Sequence, residues 1–253
     1  MKVIAITQAR YGSSRFPGKV LKKINGETLL EIHVRRVLAS KMIEQLIVAT
    51  THEPEAEEIG AIAVMCGASF FKGSMNDVLD RFYQAIKETK ADYIVRITSD
   101  CPLVDPELID KVIRYTVTNS LDYCSNTLDP TYPDGQDIEV FKFNAFEKAW
   151  NDAKLPSERE HVTPYIWKNS TYKGGNLFKS DNFTEGYSYQ HLRMTVDEVD
   201  DFEVIRSLIT HLGTCSTWME YADFLERHQE LKSINEKIER NEGYNKSTNK
   251  ETT

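Results

Sequence analysis

The chain has no basic surplus. Its 31 Lys and Arg residues face 39 Asp and Glu, a formal net charge of −8. The global cationic footprint of a nucleic-acid binder is therefore missing, although a local basic loop could still hold phosphates. No run approaches the ~20 apolar residues that a membrane-crossing helix needs, so no membrane partner is expected. The apolar start, Met1-Lys2-Val3-Ile4-Ala5-Ile6, is too short for a signal peptide and reads as a buried strand, which makes the cytoplasm the expected location. Cysteine is sparse. Cys66, Cys101, Cys124 and Cys215 form no C-x-x-C pair and no zinc spacing with histidine, and they read as reduced thiols in or near a core. Internal repeats are also lacking.

What is present suits a globular enzyme. The 253 residues are 40% hydrophobic and 28% charged, enough for one α/β domain with a real core. Apolar runs at Val3 to Ala9, Gln45 to Thr50 and Tyr93 to Thr98 read as strands. Helical patterns separate them at Thr28 to Ser40, Pro54 to Gly67, Asp77 to Thr89 and Pro106 to Thr118. This alternation predicts a doubly wound, mostly parallel sheet with helices on both faces.

After Leu121 the pattern loosens. A strand at Ile138 to Phe143 precedes helices at Asn144 to Ala153 and Ser157 to Lys168. Possible strands follow at Thr171 to Ser180 and Ser188 to Val196, then helices at Glu198 to His211 and Thr217 to Gln229. A small β-rich excursion from the main sheet is expected here. One domain should span residues 1–240, in two halves that divide at about 120. The polar composition of 241–253 predicts disorder.

The most informative stretch is the loop after the first strand, Ala9-Arg10-Tyr11-Gly12-Ser13-Ser14-Arg15-Phe16-Pro17-Gly18-Lys19. It sits where open α/β sheets bind ligands. Gly12 and Gly18 allow close backbone approach to an anion, Ser13 and Ser14 add hydroxyls, and Arg10, Arg15 and Lys19 bring three cations, a combination suited to a polyphosphate. A P-loop is excluded, because five residues separate the glycines and Val20 follows Lys19; G-x-G-x-x-G is absent too. A solvated basic loop is the alternative.

Asp100 follows the strand Tyr93 to Thr98, where phosphoryl chemistry needs a hard oxygen ligand for Mg²⁺, or where a turn needs a cap. Asp105, before Pro106, reads as a helix cap. Asp197 again ends an apolar stretch and opens an acidic helix start with Asp200 and Asp201. Asp137 and Glu139 share one strand face and could take sugar hydroxyls or pair with surface lysines. Glu160 and His161 lie on a charged helix.

A-R-Y-G-S-S-R-F-P-G-K-V-L, followed by I-N-G-E-T-L-L, resembles the opening of the sugar-acid cytidylyltransferases, the group of CMP-KDO and CMP-acylneuraminate synthetases. The best match is the spore coat polysaccharide biosynthesis protein F family. The resemblance runs over roughly residues 1–210 and implies a Rossmann-like, three-layer nucleotidyltransferase fold. It implies an Mg²⁺-dependent enzyme that transfers CMP from CTP to a sugar or sugar acid for surface polysaccharide synthesis. Arg10, Lys19 and Asp100 would be catalytic. Ala9, Arg10, Gly12, Ser13, Ser14, Arg15 and Lys19 would hold the nucleotide, with Arg81 as a further contact or else an ion-pair partner of Asp77. Asp100 and Asp197 would hold the metal, with Asp201 a structural helix-start residue. Asp137, Glu139, Glu160 and His161 would face the acceptor, and a homodimer is implied. The rivals are a GT-A glycosyltransferase, whose D-x-D motif is incomplete at Asp100-Cys101-Pro102, and a non-catalytic nucleotide-binding homologue.

Overall fold

The structure, a computed structural model, describes residues 1–13 and 15–251. Strand β1 (Val3–Gln8) leads through a short hairpin, β2 (Lys23–Ile24) and β3 (Glu27–Thr28), into helix α1 (Leu29–Leu38). Next come β4 (Gln45–Thr50), α2 (Ala56–Met65), β5 (Ser69–Lys72), α3 (Val78–Ile86), β6 (Tyr93–Arg96) and α4 (Pro106–Thr118). The second half adds β7 (Tyr123–Ser125), β8 (Glu139–Lys142), α5 (Phe143–Asp152), α6 (Pro156–His161), α7 (Pro164–Lys168) and β9 (Ser180–Asn182). It closes with α8 (Val199–Leu212), α9 (Trp218–Arg227), α10 (Gln229–Lys232) and α11 (Glu242–Glu251).

Seven strands form one sheet in the order β5-β4-β1-β6-β8-β7-β9. β1 pairs in parallel with both β4 and β6, and β4 with β5. β8 runs antiparallel to β6 and β7. Alternate residues of β1 serve opposite faces: Val3 and Ala5 join one core, Ile4 and Ile6 the other. Burial on both faces explains why this strand reads as a continuous apolar run. Val3, Ile4 and Ile6 each contribute about 1.5–3 kcal/mol on leaving water.

The chain winds from β1 outward to β4 and β5, then crosses back to β6 on the other flank of β1. The order of winding reverses between β1 and β6, and the carboxyl ends of those strands border a crevice. The helix starts are built locally. Thr28 Oγ1 accepts from the Glu31 N–H at 3.1 Å while the Glu31 carboxylate accepts from the Thr28 N–H. Asp105 caps α4, accepting from the Glu107 N–H at 2.8 Å, with Pro106 in the first turn.

Several expectations for the second half need correction. β7, β8 and β9 extend the main sheet, and the separate two-stranded piece is the β2–β3 hairpin. Residues 188–196 are irregular apart from a bridge between Asp134 and Arg193. That segment is apolar because it packs beside the crevice, where Leu192, Met194 and Val196 are buried. The helix expected over 157–168 is two, α6 and α7. They break at Val162, whose φ is 74°, and Pro164 restarts the chain. Thr171–Lys173 is a 3-10 turn instead of a strand start. β5 escaped notice because it is a short edge strand with its first residues exposed. The polar stretch from 241 contains helix α11, which packs against α6; residues 252–253 lie outside the described ones.

Candidate active site

Two distant segments are stitched together at the crevice. The Val196 N–H donates to the Asp100 carbonyl at 2.7 Å, and the Thr195 hydroxyl donates to the same oxygen at 3.1 Å. Backbone pairing thus sets Asp100, past β6, beside Asp197, before α8. A second backbone contact orders the approach: Gly135, at φ 104°, lies so close that a Cβ there would meet the Met194 carbonyl at 2.5 Å. Only glycine fits both the space and the dihedral.

The first loop closes over this pair. Gly18 takes φ 67°, and its N–H donates to the Tyr11 carbonyl at 2.9 Å, as does that of Ser13 at 2.8 Å. The Gly18 N–H is therefore spent inside the turn; its role is the left-handed backbone that starts the turn carrying Lys19. Gly12 leaves room for Glu53, whose Oε1 would stand 2.5 Å from an added Cβ. Ala9 is buried, its N–H donating to the Ala49 carbonyl at 3.0 Å. Ser14 lies outside the described residues.

Lys19 Nζ reaches the Val196 carbonyl at 2.7 Å, Asp197 Oδ1 at 2.9 Å and Asp100 Oδ2 at 3.4 Å. Burial by itself lowers the Lys19 ammonium, but Asp100 and Asp197 outweigh that and hold it above its ordinary value. Burial likewise raises the Asp100 carboxyl, while Lys19, Thr98 and Cys101 hold it below the usual range. Arg15 adds a contact to Asp197 Oδ2 at 3.2 Å and one to Glu242 at 3.1 Å. Arg10 is exposed at the mouth of the loop. The Cys101 thiol beside Asp100 is pushed up by burial and by that carboxylate, so it is no nucleophile.

Arg81 lies just inside the same edge and is almost fully buried. It donates to Gln8 Oε1 at 2.8 Å and to the Ser74 carbonyl, and its Nε has no partner among the described residues. Burial and the charge of Arg10 push it down to about 10. The alternative pairing with Asp77 does not occur: Asp77 caps α3 and binds Arg159 at 2.7 Å.

On the side expected for the acceptor, Asp137 and Glu139 are covered by arginines instead of surface lysines, and Asp137 lies ahead of β8 (Glu139–Lys142) instead of on a shared strand face. Asp137 pairs with Arg240. Glu139 pairs with Arg96 and accepts from the Tyr123 hydroxyl at 2.7 Å and the Thr163 hydroxyl at 2.5 Å. Glu160 accepts from the Ser247 hydroxyl at 2.9 Å, and His161 Nε2 lies 3.1 Å from the same oxygen.

Three important residues escaped the sequence reading. Arg193 binds Asp134 at 2.5 Å, Asp197 at 3.2 Å and Asp201 at 2.8 Å, so it holds the whole acidic turn. Its signal was a lone cation inside the apolar run from Leu192 to Val196. Asp201 performs its structural part, accepting from the N–H groups of Asp197 and Glu198 at 2.9 and 3.0 Å. His33 is buried; its Nδ1–H donates to the Cys101 carbonyl at 3.0 Å, and its Nε2 accepts from the Thr7 hydroxyl at 3.1 Å. Burial lowers its basicity, so a neutral ring ties the Asp100 turn to β1. Arg240 had no local signal at all.

The donor set fits a hard divalent cation. Two carboxylate oxygens from separate segments converge on one cationic centre, the Lys19 ammonium. Among the described residues no cluster of three or more metal-binding side chains exists. A small ion here would complete its shell with water and substrate oxygens, as Mg²⁺ does. Among the described residues no helix is long and apolar enough to cross a membrane.

Comparison with known proteins identifies the family of the chain. A family model described as Cytidylyltransferase matches residues 4–239. An uncharacterized protein of Methanocaldococcus jannaschii, MJ1063, is 41% identical over 242 residues, covering 94% of this chain and 96% of its own. The spore coat polysaccharide biosynthesis protein SpsF of Bacillus subtilis is 32% identical, covering 83% and 88%. A solved structure of a cytidylyltransferase from Leptospira borgpetersenii superposes with a TM-score of 0.87 at 32% identity, covering 95% and 100%.

Proposed function

The chain belongs to the cytidylyltransferase family, and on that premise we propose that it transfers CMP from CTP to a sugar or sugar-acid hydroxyl for surface polysaccharide synthesis. The observation that carries this reading is the position of Lys19 Nζ between Asp100 and Asp197. A cation donor and two metal-type carboxylates meet at the carboxyl edge of β1 and β6, where a polyphosphate and its ion would sit.

In the proposed reaction the acceptor oxygen forms a bond to the α-phosphorus as the bond to the β-phosphate oxygen breaks. Pyrophosphate leaves with the electron pair, and the hydroxyl proton passes to solvent. Arg10, Arg15 and Lys19 bind the triphosphate and stabilise its charge as it shifts to the leaving group. Ala9 and Gly12 shape the wall beside it, Ser13 adds a hydroxyl from the same loop, and Arg81 backs the nucleotide side. Asp100 and Asp197 would hold Mg²⁺, which when bound neutralises phosphate charge. His33 and Arg193 keep the two aspartate turns in register. Asp137, Glu139, Glu160 and His161 mark the acceptor side. Asp137 sits close enough for Asp100 to raise its carboxyl, beyond the larger effect of burial and against the pull of Arg240.

The test is a screen of CTP, ATP, GTP and UTP against sugars and sugar acids with Mg²⁺, read as pyrophosphate release. Release with CTP and one acid sugar class supports the reading. Transfer only from nucleotide-sugars, with no pyrophosphate, would refute it.

A further inference from the structure

We infer that residues 240–247 form a strap that closes the site and competes with the nucleotide for Arg15; the nucleotide part rests on the reading above. This stretch begins where the match to the family model ends, at residue 239. Just upstream it is anchored by Asn235, whose side-chain N–H donates to Asp201 Oδ1 at 2.9 Å and to the Arg193 carbonyl at 3.3 Å. Arg240 then enters the acceptor side, paired with Asp137, 4.0 Å from Asp134, and donating to the Tyr132 carbonyl at 3.3 Å. The chain turns sharply at Asn241, φ 60°. Glu242 follows, and its Oε2 accepts from Arg15 at 3.1 Å. Helix α11 lays Tyr244 edge-on against His161 at 5.1 Å and Trp167 at 6.0 Å. The Ser247 hydroxyl donates to Glu160 at 2.9 Å.

Eight residues thus touch the cationic loop, the irregular stretch ahead of β8 that carries Tyr132 and Asp137, and α6 at once. Glu242 is the point of conflict. It places a carboxylate on a guanidinium that the triphosphate would use, so the two anions exclude each other there. The strap is held mainly by polar contacts and one aromatic side chain. The more deeply buried Arg240–Asp137 pair is the fixed anchor, whereas the Glu242–Arg15 pair is partly exposed. Exposed ion pairs are individually weak, so a multiply charged ligand can displace that one. A ligand that must first undock a strap binds more weakly by the fraction of molecules already open.

The test titrates CTP with Mg²⁺ into three proteins by calorimetry: the full chain, Glu242→Gln, and a chain ended after Asn241, which keeps Arg240 on Asp137. Both altered forms should bind about three- to ten-fold tighter. In the full chain, CTP should speed hydrogen exchange over residues 240–251. Unchanged or weaker binding in both forms, or slower exchange with CTP, would overturn the proposal. A gain confined to the shortened chain would remove Glu242 as the competing group. Inorganic tripolyphosphate, titrated in parallel, separates the strap from the choice of base. If tripolyphosphate binds tighter to both altered forms while CTP binds to none, the strap stands and the CTP reading falls. If neither ligand binds any form, both fall.

Discussion

On the proposed nucleotide side, charge is compensated by neighbours that the proposed reaction would recruit. Lys19 and Arg15 rest on Asp100 and Asp197, and a triphosphate with its cation could take over those contacts pair by pair. On the proposed acceptor side, compensation is built in. Glu139 is locked by Arg96, Tyr123 and Thr163, and Asp137 by Arg240 from the far end of the chain. One half of the crevice is poised for exchange with a ligand. The other half is a scaffold of buried pairs, in which removing one partner strands the other. A carboxylate on the correct strand face is therefore not by itself an available ligand.

That contrast can be broken most forcefully at Arg193, which belongs to the scaffold. Arg193→Ala leaves Asp201 buried without its cation, and urea unfolding should show a loss of about 3–5 kcal/mol. A loss below about 1 kcal/mol would show that the acidic turn does not depend on it. Asp100→Asn belongs to the exchanging half. It should reduce pyrophosphate release at least about 100-fold while circular dichroism and melting stay near those of the parent chain. A small kinetic loss with a large drop in melting temperature would move Asp100 into the scaffold.

Lys19→Ala should weaken CTP binding about ten-fold, roughly the value of one charge-assisted contact, as read by titration calorimetry. Equal affinity would remove the loop from the nucleotide site. The mildest lever is acid. Burial raises the Asp201 carboxyl, but Arg193, the Asp197 N–H and Asn235 hold it below its ordinary value. A carboxyl lower in the folded than in the unfolded chain contributes stability above about pH 4, and that share is lost as pH falls through the folded value. Unfolding free energy measured between pH 5 and 2.5 should therefore fall less steeply for Asp201→Asn than for the parent. Identical slopes would show that this pair does not set acid sensitivity.

The legible parts of the molecule share one property. β1, β4 and β6 are buried on both faces, so their apolar runs stand out, and the intervening helices carry caps such as Thr28 and Asp105 that act on their own neighbours. The loop from Arg10 to Lys19 was readable because its cations lie within ten residues. The illegible parts depend on partners distant in sequence. Residues 188–196 looked like a strand because burial beside the crevice makes them apolar, yet among the described residues their ladder pairing is a single bridge, Arg193 to Asp134. α11 looked too polar to order, and its contacts are with Arg15, Glu160, His161 and Trp167.

By itself, the sequence determined the alternating α/β order, the cationic turn after β1 and the presence of an aspartate at each of two strand-like ends. Periodicity, caps and glycine are local properties, and local physics suffices to read them. Only the tertiary structure decided that Asp100 and Asp197 share one lysine, that Arg193 and Arg240 cover the neighbouring acids, and that the final helix lies across them. Those outcomes depend on which charges meet in a low-dielectric crevice, and charges up to 227 residues apart are brought together there by the fold.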